Sequence, residues 1–272
     1  MTRVTRFAPS PTGPLHLGHA YAALIAAARG DRFLLRIEDI DRARCTQAFE
    51  AQIYDDLHWL GLTWELPVLR QSERLGAYQA ALARLAAMGV LYSCTCTRGD
   101  IRAALSAPQE GVPVGPDGLI YPGTCRGRPV GDGVLRLDMG RAMALTSALK
   151  FQENGPLRDG VHVLDPDWMV RHVGDVVLAR RDMGTSYHLS VVIDDAAQGV
   201  TEVTRGVDLF DATAIHVVLQ ALLELPTPSY WHHDLIRDAQ GKRLAKRDDA
   251  RALALYRAQG ASPADIRAMI GL

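Results

Sequence analysis

The stretch Val4-Thr5-Arg6-Phe7-Ala8-Pro9-Ser10-Pro11-Thr12-Gly13-Pro14-Leu15-His16-Leu17-Gly18-His19 decides the fold. Val4 to Phe7 is a short β-prone run. The prolines and Gly13 then break any regular structure. From His19 to Arg29 an Ala-rich stretch predicts a helix, and Gly30 stops it. Phe33-Leu34-Leu35-Arg36-Ile37 follows as a second apolar strand. Strand, loop, helix, strand is a β-α-β unit, which predicts an α/β chain with a parallel sheet.

Outward from this unit, helices are expected over residues 46–60, with Ile53, Leu57 and Leu60 at helical spacing, and over 73–88, with Leu75, Tyr78, Leu82 and Leu85 on one face. From Tyr92 to Pro129 the periodicity fails, glycines and prolines accumulate, and three of the four cysteines occur. This reads as an inserted module held by something other than a large core. Residues 134–164 read as short strands and turns. Val176-Val177-Leu178-Ala179 and Leu189-Ser190-Val191-Val192-Ile193 are expected to rejoin the main sheet as strands, and 211–224 to form an apolar helix. The last 25 residues read as helical and polar. The expected division is 1–92 and 174–240 as two halves of one catalytic domain, 93–173 as the insert, and 241–272 as a basic loop with a short helical tail.

The chain has 272 residues, 48% of them hydrophobic and 22% charged, with a formal net charge of −1. That is a globular composition. Near-zero net charge excludes a protein that coats nucleic acid by bulk attraction, so RNA contact needs a local basic patch. Arg126, Arg128, Arg180 and Arg181 are the candidates. Four cysteines are too few for a disulfide scaffold. No stretch reads as a signal peptide or a membrane span. A reducing, cytoplasmic location and no membrane association are expected, and no obligate protein partner is evident.

His16 and His19 fall three apart where a loop enters a helix, so they share a face. A helix N-terminus has free N–H donors and a positive dipole end, which favour phosphate. Gly18 lets a base or ribose come close. Two imidazoles there can donate to charge building on a triphosphate. The same pair would also serve as a histidine-rich cap without a ligand. Near the other end, Lys242 and Lys246 are two of only three lysines, against 27 arginines, and both lie in Gly241-Lys242-Arg243-Leu244-Ala245-Lys246-Arg247-Asp248. Lysine is a compact charge that can follow a phosphate, though a charge run is more commonly a solvated turn.

Together these two stretches resemble the signatures of class I aminoacyl-tRNA synthetases. His16-Leu17-Gly18-His19 stands for the first and Arg243-Leu244-Ala245-Lys246-Arg247 for the second. Arg6 to Gly13, Arg36-Ile37-Glu38-Asp39-Ile40-Asp41 and Thr204-Arg205-Gly206 are similar to the amino-acid site of the glutamyl members. The matches span residues 6–247 in family order. One departure is that Arg243 and Ala245 replace the lysine that usually opens the second signature and its serine, so a hydroxyl is lost.

The resemblance implies a Rossmann-like catalytic domain and assigns roles. His16, His19 and Lys246 would be catalytic, stabilising the five-coordinate phosphorus while the glutamate carboxylate displaces pyrophosphate, with Mg2+ accompanying ATP. Pro9, Gly18, His19, Arg243 and Lys246 would contact ATP. Arg6, Phe7, Ala8, Pro9, Ser10, Glu38, Tyr187 and Arg205 would contact L-glutamate. The residue chemistry suits this. Arginine forks match carboxylates, Glu38 can pair with the ammonium, and the Tyr187 hydroxyl can close the pocket.

Cys94-Thr95-Cys96 followed by Tyr121-Pro122-Gly123-Thr124-Cys125 offers three thiolates for tetrahedral zinc, or three buried free thiols. Cys-x-Cys then Tyr-x-x-x-Cys resembles the zinc site of one truncated synthetase-like subfamily. The implied ligands of one structural Zn2+ are Cys94, Cys96, Tyr121 and Cys125. Cys45 is expected to be structural. The chain runs about 25 residues beyond Lys246, so the anticodon-binding domain of full-length glutamyl enzymes is not expected in it. The resemblance to the truncated subfamily implies activation of glutamate without tRNA and its attachment to queuosine in the anticodon of tRNA(Asp). The competing expectations are a truncated enzyme charging a tRNA 3′ end, another nucleotidyltransferase making a small metabolite, and a non-catalytic zinc and RNA-binding module.

Overall fold

The computed structural model describes residues 2–105, 114–236 and 251–272. Lys242, Arg243 and Lys246 therefore lie outside the described residues. The strands are β1 (Val4–Phe7), β2 (Arg32–Ile37), β3 (Glu65–Arg70), β4 (Leu91–Cys94), β5 (Val114–Gly115), β6 (Gly118–Leu119), β7 (Val134–Leu137), β8 (Lys150–Glu153), β9 (Gly160–Val163), β10 (Val177–Ala179), β11 (Glu202–Gly206) and β12 (Ser229–His233). The helices are α1 (Leu17–Arg29), α2 (Gln47–Trp59), α3 (Leu75–Ala87), α4 (Arg98–Leu105), α5 (Met139–Ala144), α6 (Pro166–Trp168), α7 (Tyr187–Ala197), α8 (Thr213–Leu222), α9 (Leu253–Ala258) and α10 (Pro263–Met269).

The expected β-α-β unit is present, with β1 parallel to β2 in the register Arg6↔Leu34. β3 extends that side of the sheet in parallel. On the other side β11, β12 and β8 run parallel to one another, and β9 returns antiparallel. The two halves meet where the Thr201 N–H donates to the Val4 carbonyl at 3.0 Å, which sets β11 beside β1. That junction is where the strand order reverses, the place at which open parallel sheets bind ligands.

Layering follows from alternation along the strands. Phe33, Leu35 and Ile37 pack with Leu17, Ala20, Leu24, Ile53 and Leu57 on the α1–α2 side. Val4 and Leu34 pack with Tyr78, Leu82, Leu189, Val192, Ile215 and Val218 on the α3–α7–α8 side. Arg6 and Arg36 share this second face, buried among apolar neighbours. Gly30 ends α1 because its backbone passes against Thr5, whose hydroxyl would collide with any Cβ there. The tail is less polar than its composition implied. Leu253 and Ile266 are fully buried under α1, and the Leu253 N–H donates to the Leu15 carbonyl at 2.8 Å.

Residues 134–164 hold the short helix α5 besides strands and turns, and two strand assignments fail. Leu189 to Ile193 is not a strand but lies inside α7. Ser186 caps that helix, accepting from the Leu189 N–H at 3.4 Å, and burial among helices overrides the β preference of Val191-Val192-Ile193. Val177 to Ala179 is a strand, but it pairs antiparallel with β7 in a separate β10–β7–β4 sheet rather than joining the main one. Among the described residues, no helix is long and apolar enough to cross a membrane.

Candidate active site

A cavity of about 390 Å³ opens at the sheet junction, walled by Ser10, Glu38 and Gln71 on one side and by Tyr187, His188 and Arg180 on the other. Ser10 comes from the Pro-rich loop after β1. Glu38 follows β2, its N–H donating to the Pro9 carbonyl at 3.0 Å, so loop and strand end are tied together. Tyr187 opens α7. Of the expected glutamate contacts, Ser10, Glu38 and Tyr187 line this cavity. Phe7 does not; its ring is buried in the core beneath α1. Pro9 is buried and Ala8 partly so, and both shape the loop.

Arg6 and Arg205 are buried behind the wall. Arg6 donates from Nε to Asp195 Oδ1 at 2.9 Å and from Nη1 to the Thr204 carbonyl at 3.1 Å. Arg36, fully buried, donates from Nη1 to the same Asp195 oxygen at 2.7 Å and from Nη2 to Glu38 at 3.3 Å. Burial pushes Asp195 up, but Arg6 and Arg36 outweigh it and hold the carboxyl below its ordinary range. For Glu38 burial wins and raises the pKa, against the pull of Arg36 and Arg6. A substrate ammonium beside Glu38 would favour the ionised form and reverse that shift. Burial likewise raises Tyr187, which leaves its phenol protonated as a donor.

Arg205 lies within β11. It donates to His232, His216, Thr213 and the Leu209 carbonyl. Sequence reasoning missed this polar layer, along with Arg36 and Asp195. The one signal was an arginine beside Leu34 on the core-facing side of β2, at Arg36. Reading 189–193 as a strand concealed the helix that carries Asp195.

His16 caps α1. The Gly18 N–H donates to His16 Nδ1 at 3.1 Å, and the His16 N–H donates to His19 Nδ1 at 3.2 Å. The two rings lie 3.8 Å apart. Because each Nδ1 accepts from backbone, each neutral ring carries its proton on Nε2. The capping geometry thus prepares two Nε2–H donors at a helix N-terminus whose first turn holds no acid. Ala252 bridges to His16, so the chain following residues 237–250 returns beside this cap. Before them, His233 packs edge-on against Tyr21 of α1, ring centroids 5.0 Å apart.

The cysteine module brings its expected ligands together. The thiols of Cys94, Cys96 and Cys125 lie within 4.8 Å of one another, and Cys96 and Cys125 sulfurs are 3.5 Å apart. Tyr121 Oη is 3.3 Å from Cys94 Sγ and 3.4 Å from Cys96 Sγ. Zinc–sulfur bonds of about 2.3 Å at a tetrahedral centre put sulfurs roughly 3.8 Å apart, so the donor set fits that ion. Of the RNA candidates, Arg126 is committed to Asp175, 2.8 Å from its Nη2, and Arg128 donates to Thr95 at 3.2 Å. Arg180 and Arg181 are exposed.

A family model described as tRNA synthetases class I (E and Q), catalytic domain, matches residues 3–272. A Rhodobacter capsulatus protein named glutamyl-Q tRNA(Asp) synthetase is 65% identical, over 99% of this chain and 100% of that protein. A Nocardia farcinica protein of the same name is 43% identical, over 97% of this chain and 82% of that one. Among solved structures, a glutamate tRNA ligase from Elizabethkingia meningosepticum, in complex with its amino acid, superposes with a TM-score of 0.74 at 26% identity, covering 97% of this chain. A glutamate-tRNA synthetase from Elizabethkingia anophelis gives 0.75 at 25% identity, again covering 97% of this chain. The chain spans 59% and 60% of the length of those two structures.

Proposed function

The chain belongs to the class I tRNA synthetases (E and Q), catalytic-domain family, and from that premise we propose that it activates L-glutamate with ATP and transfers it to queuosine in the anticodon of tRNA(Asp). One observation carries the reading of activation. A cavity of about 390 Å³ edged by Glu38 and Tyr187 and a helix N-terminus bearing two preset imidazole donors both lie at the carboxyl ends of strands β1 and β2. The acceptor rests on the 65% identical relative, which this chain covers end to end.

Glu38 takes the substrate ammonium, while Arg6, Arg205 and Tyr187 serve its carboxylates. Ser10, with the backbone of Phe7 to Pro9, holds the substrate in place. The α-carboxylate oxygen attacks the α-phosphorus of ATP and pyrophosphate leaves. The Nε2–H groups of His16 and His19 donate to charge on the phosphoryl oxygens, an electrostatic role that requires no covalent enzyme intermediate. Pro9 and Gly18 border the adenosine, and Lys246 and Arg243 are assigned to the phosphates on the second signature. Mg2+ accompanies ATP, with no residue assigned to it. A hydroxyl of queuosine then attacks the adenylate carbonyl and AMP leaves.

Cys94, Cys96, Tyr121 and Cys125 would hold one Zn2+, whose role there would be structural, joining the end of β4 to the 121–125 loop. Arg180 and Arg181 are left as the RNA contacts, since Arg126 is neutralised by Asp175. Cysteines outside any disulfide and a tRNA substrate agree with a cytoplasmic location. The test is glutamate acceptance by tRNA(Asp) with and without queuosine. Labelling of the modified tRNA alone is expected. Equal labelling of both would overturn the acceptor, and absence of glutamate-dependent pyrophosphate exchange into ATP would overturn activation.

A further inference from the structure

Arg205 is the start of two hydrogen-bonded chains. Its Nε lies 3.1 Å from His232 Nε2 and its Nη1 lies 3.1 Å from His216 Nδ1. A guanidinium has donors only, so both imidazole nitrogens are unprotonated acceptors. Each ring is therefore neutral, with its proton on the far nitrogen. His232 hands that donor to Glu153 Oε2 at 2.5 Å. His216 donates from Nε2 to His188 Nδ1 at 3.1 Å, which in turn fixes the His188 proton on Nε2, 3.2 Å from Asp117 Oδ1. Every proton is thus assigned from one cation outward to two carboxylates. Burial agrees: His216 is 2% exposed, and burial beside Arg205 keeps its pKa well below that of a free imidazole.

The outer end of the longer chain belongs to a different part of the fold. Asp117 sits in the two-residue turn of the β5–β6 hairpin, its side chain 41% exposed. That hairpin is fixed rather than loosely draped. Gly115 lies so close to the His172 carbonyl that a Cβ would collide with it, and a Cβ on Gly174 would meet Ile120. Asp117 lines the same cavity as Glu38 and Tyr187. Nothing in the activation chemistry uses it. Arg205 Nη2 is held by Thr213 and the Leu209 carbonyl, which leaves one Nη1 N–H of five without an acceptor among the described residues. The direction of that N–H is set by the plane of the guanidinium, and the two histidine chains hold the plane.

We propose that Asp117 is a positioning residue: through His188 and His216 it fixes the guanidinium of Arg205 and so sets the affinity of the pocket for a substrate carboxylate. This deepens the reading of Arg205 as a glutamate contact and rests on it. The test uses the full chain with Asp117→Ala and Asp117→Asn, because the Asn carbonyl keeps an acceptor for His188 and removes only the charge. Glutamate-dependent pyrophosphate exchange and imidazole ¹⁵N spectra are the readouts. Asp117→Ala is expected to raise the KM for glutamate about five- to tenfold at unchanged KM for ATP, the scale of coupling carried by residues that do not touch the ligand. Asp117→Asn is expected within about twofold of the parent. The spectra are expected to show His188 and His216 as neutral Nε2–H tautomers in the parent and a mixture in Asp117→Ala. An unchanged glutamate KM in Asp117→Ala, an Asn variant as impaired as Ala, or a proton on His216 Nδ1 would overturn the proposal. A parent without glutamate-dependent exchange would instead sink the proposed function, and the imidazole spectra would then decide the relay alone.

Discussion

Arg36 Nη1 lies 2.7 Å from Asp195 Oδ1 in an ion pair closed off from solvent between β2 and α7. Arg6 reaches the same carboxylate from β1 at 2.9 Å, so one anion holds two buried cations on adjacent strands. The clamp joins the first β-α-β unit to the helix whose opening residue, Tyr187, lines the pocket.

Asp195→Asn keeps the shape of the clamp and removes its charge. Breaking a buried pair strands the partner charge, at a cost of about 3–5 kcal/mol. Urea denaturation should show a loss of that order, and a loss under about 1 kcal/mol would mean that the clamp is solvated in solution.

His16 serves both as the cap of α1 and as a donor from Nε2, and two substitutions separate the roles. His16→Asn retains a capping acceptor, so stability should hold within about 0.5 kcal/mol while exchange activity falls by roughly a hundredfold. His16→Ala should lose the activity and about 1 kcal/mol of stability as well. Full activity in His16→Asn would remove the imidazole from the chemistry.

Metal analysis should find one zinc per chain, lost in Cys125→Ser. Tyr121→Phe should fold and bind zinc more weakly in competition with a chelator, because one donor of four is gone. Parental affinity in Tyr121→Phe would exclude the phenol as a ligand.

Burial lowers His216 and His232 below the free imidazole value, the charge of Arg205 adds to both shifts, and for His232 the contact with Glu153 opposes the shift without reversing its direction. In the window between their folded values and the unfolded value of about 6.5, the unfolded chain binds more protons. Their stabilisation is complete above that value and is lost as pH falls through the folded pKa. The urea midpoint should decline from pH 7 to about pH 5, and His216→Gln, which preserves an acceptor and a donor, should flatten the decline.

The β-α-β start, the histidine pair and the grouped cysteines were legible in the residues because each is local. Strand alternation, loop breakers and ligand spacing act over a few residues, and so do the capping bonds of His16 and His19. Tertiary structure alone decided that Leu189 to Ile193 is helical, that β10 pairs away from the main sheet, and that Arg6, Arg36 and Arg205 are buried in polar layers with partners from other elements. Those outcomes depend on partners 159 and 189 residues away in the chain, Arg36 and Arg6 with Asp195, and on a hairpin turn meeting a histidine 71 residues on. A buried charge is tolerable only where an opposite charge from another element arrives to meet it, and a chain read in order does not show which element that will be.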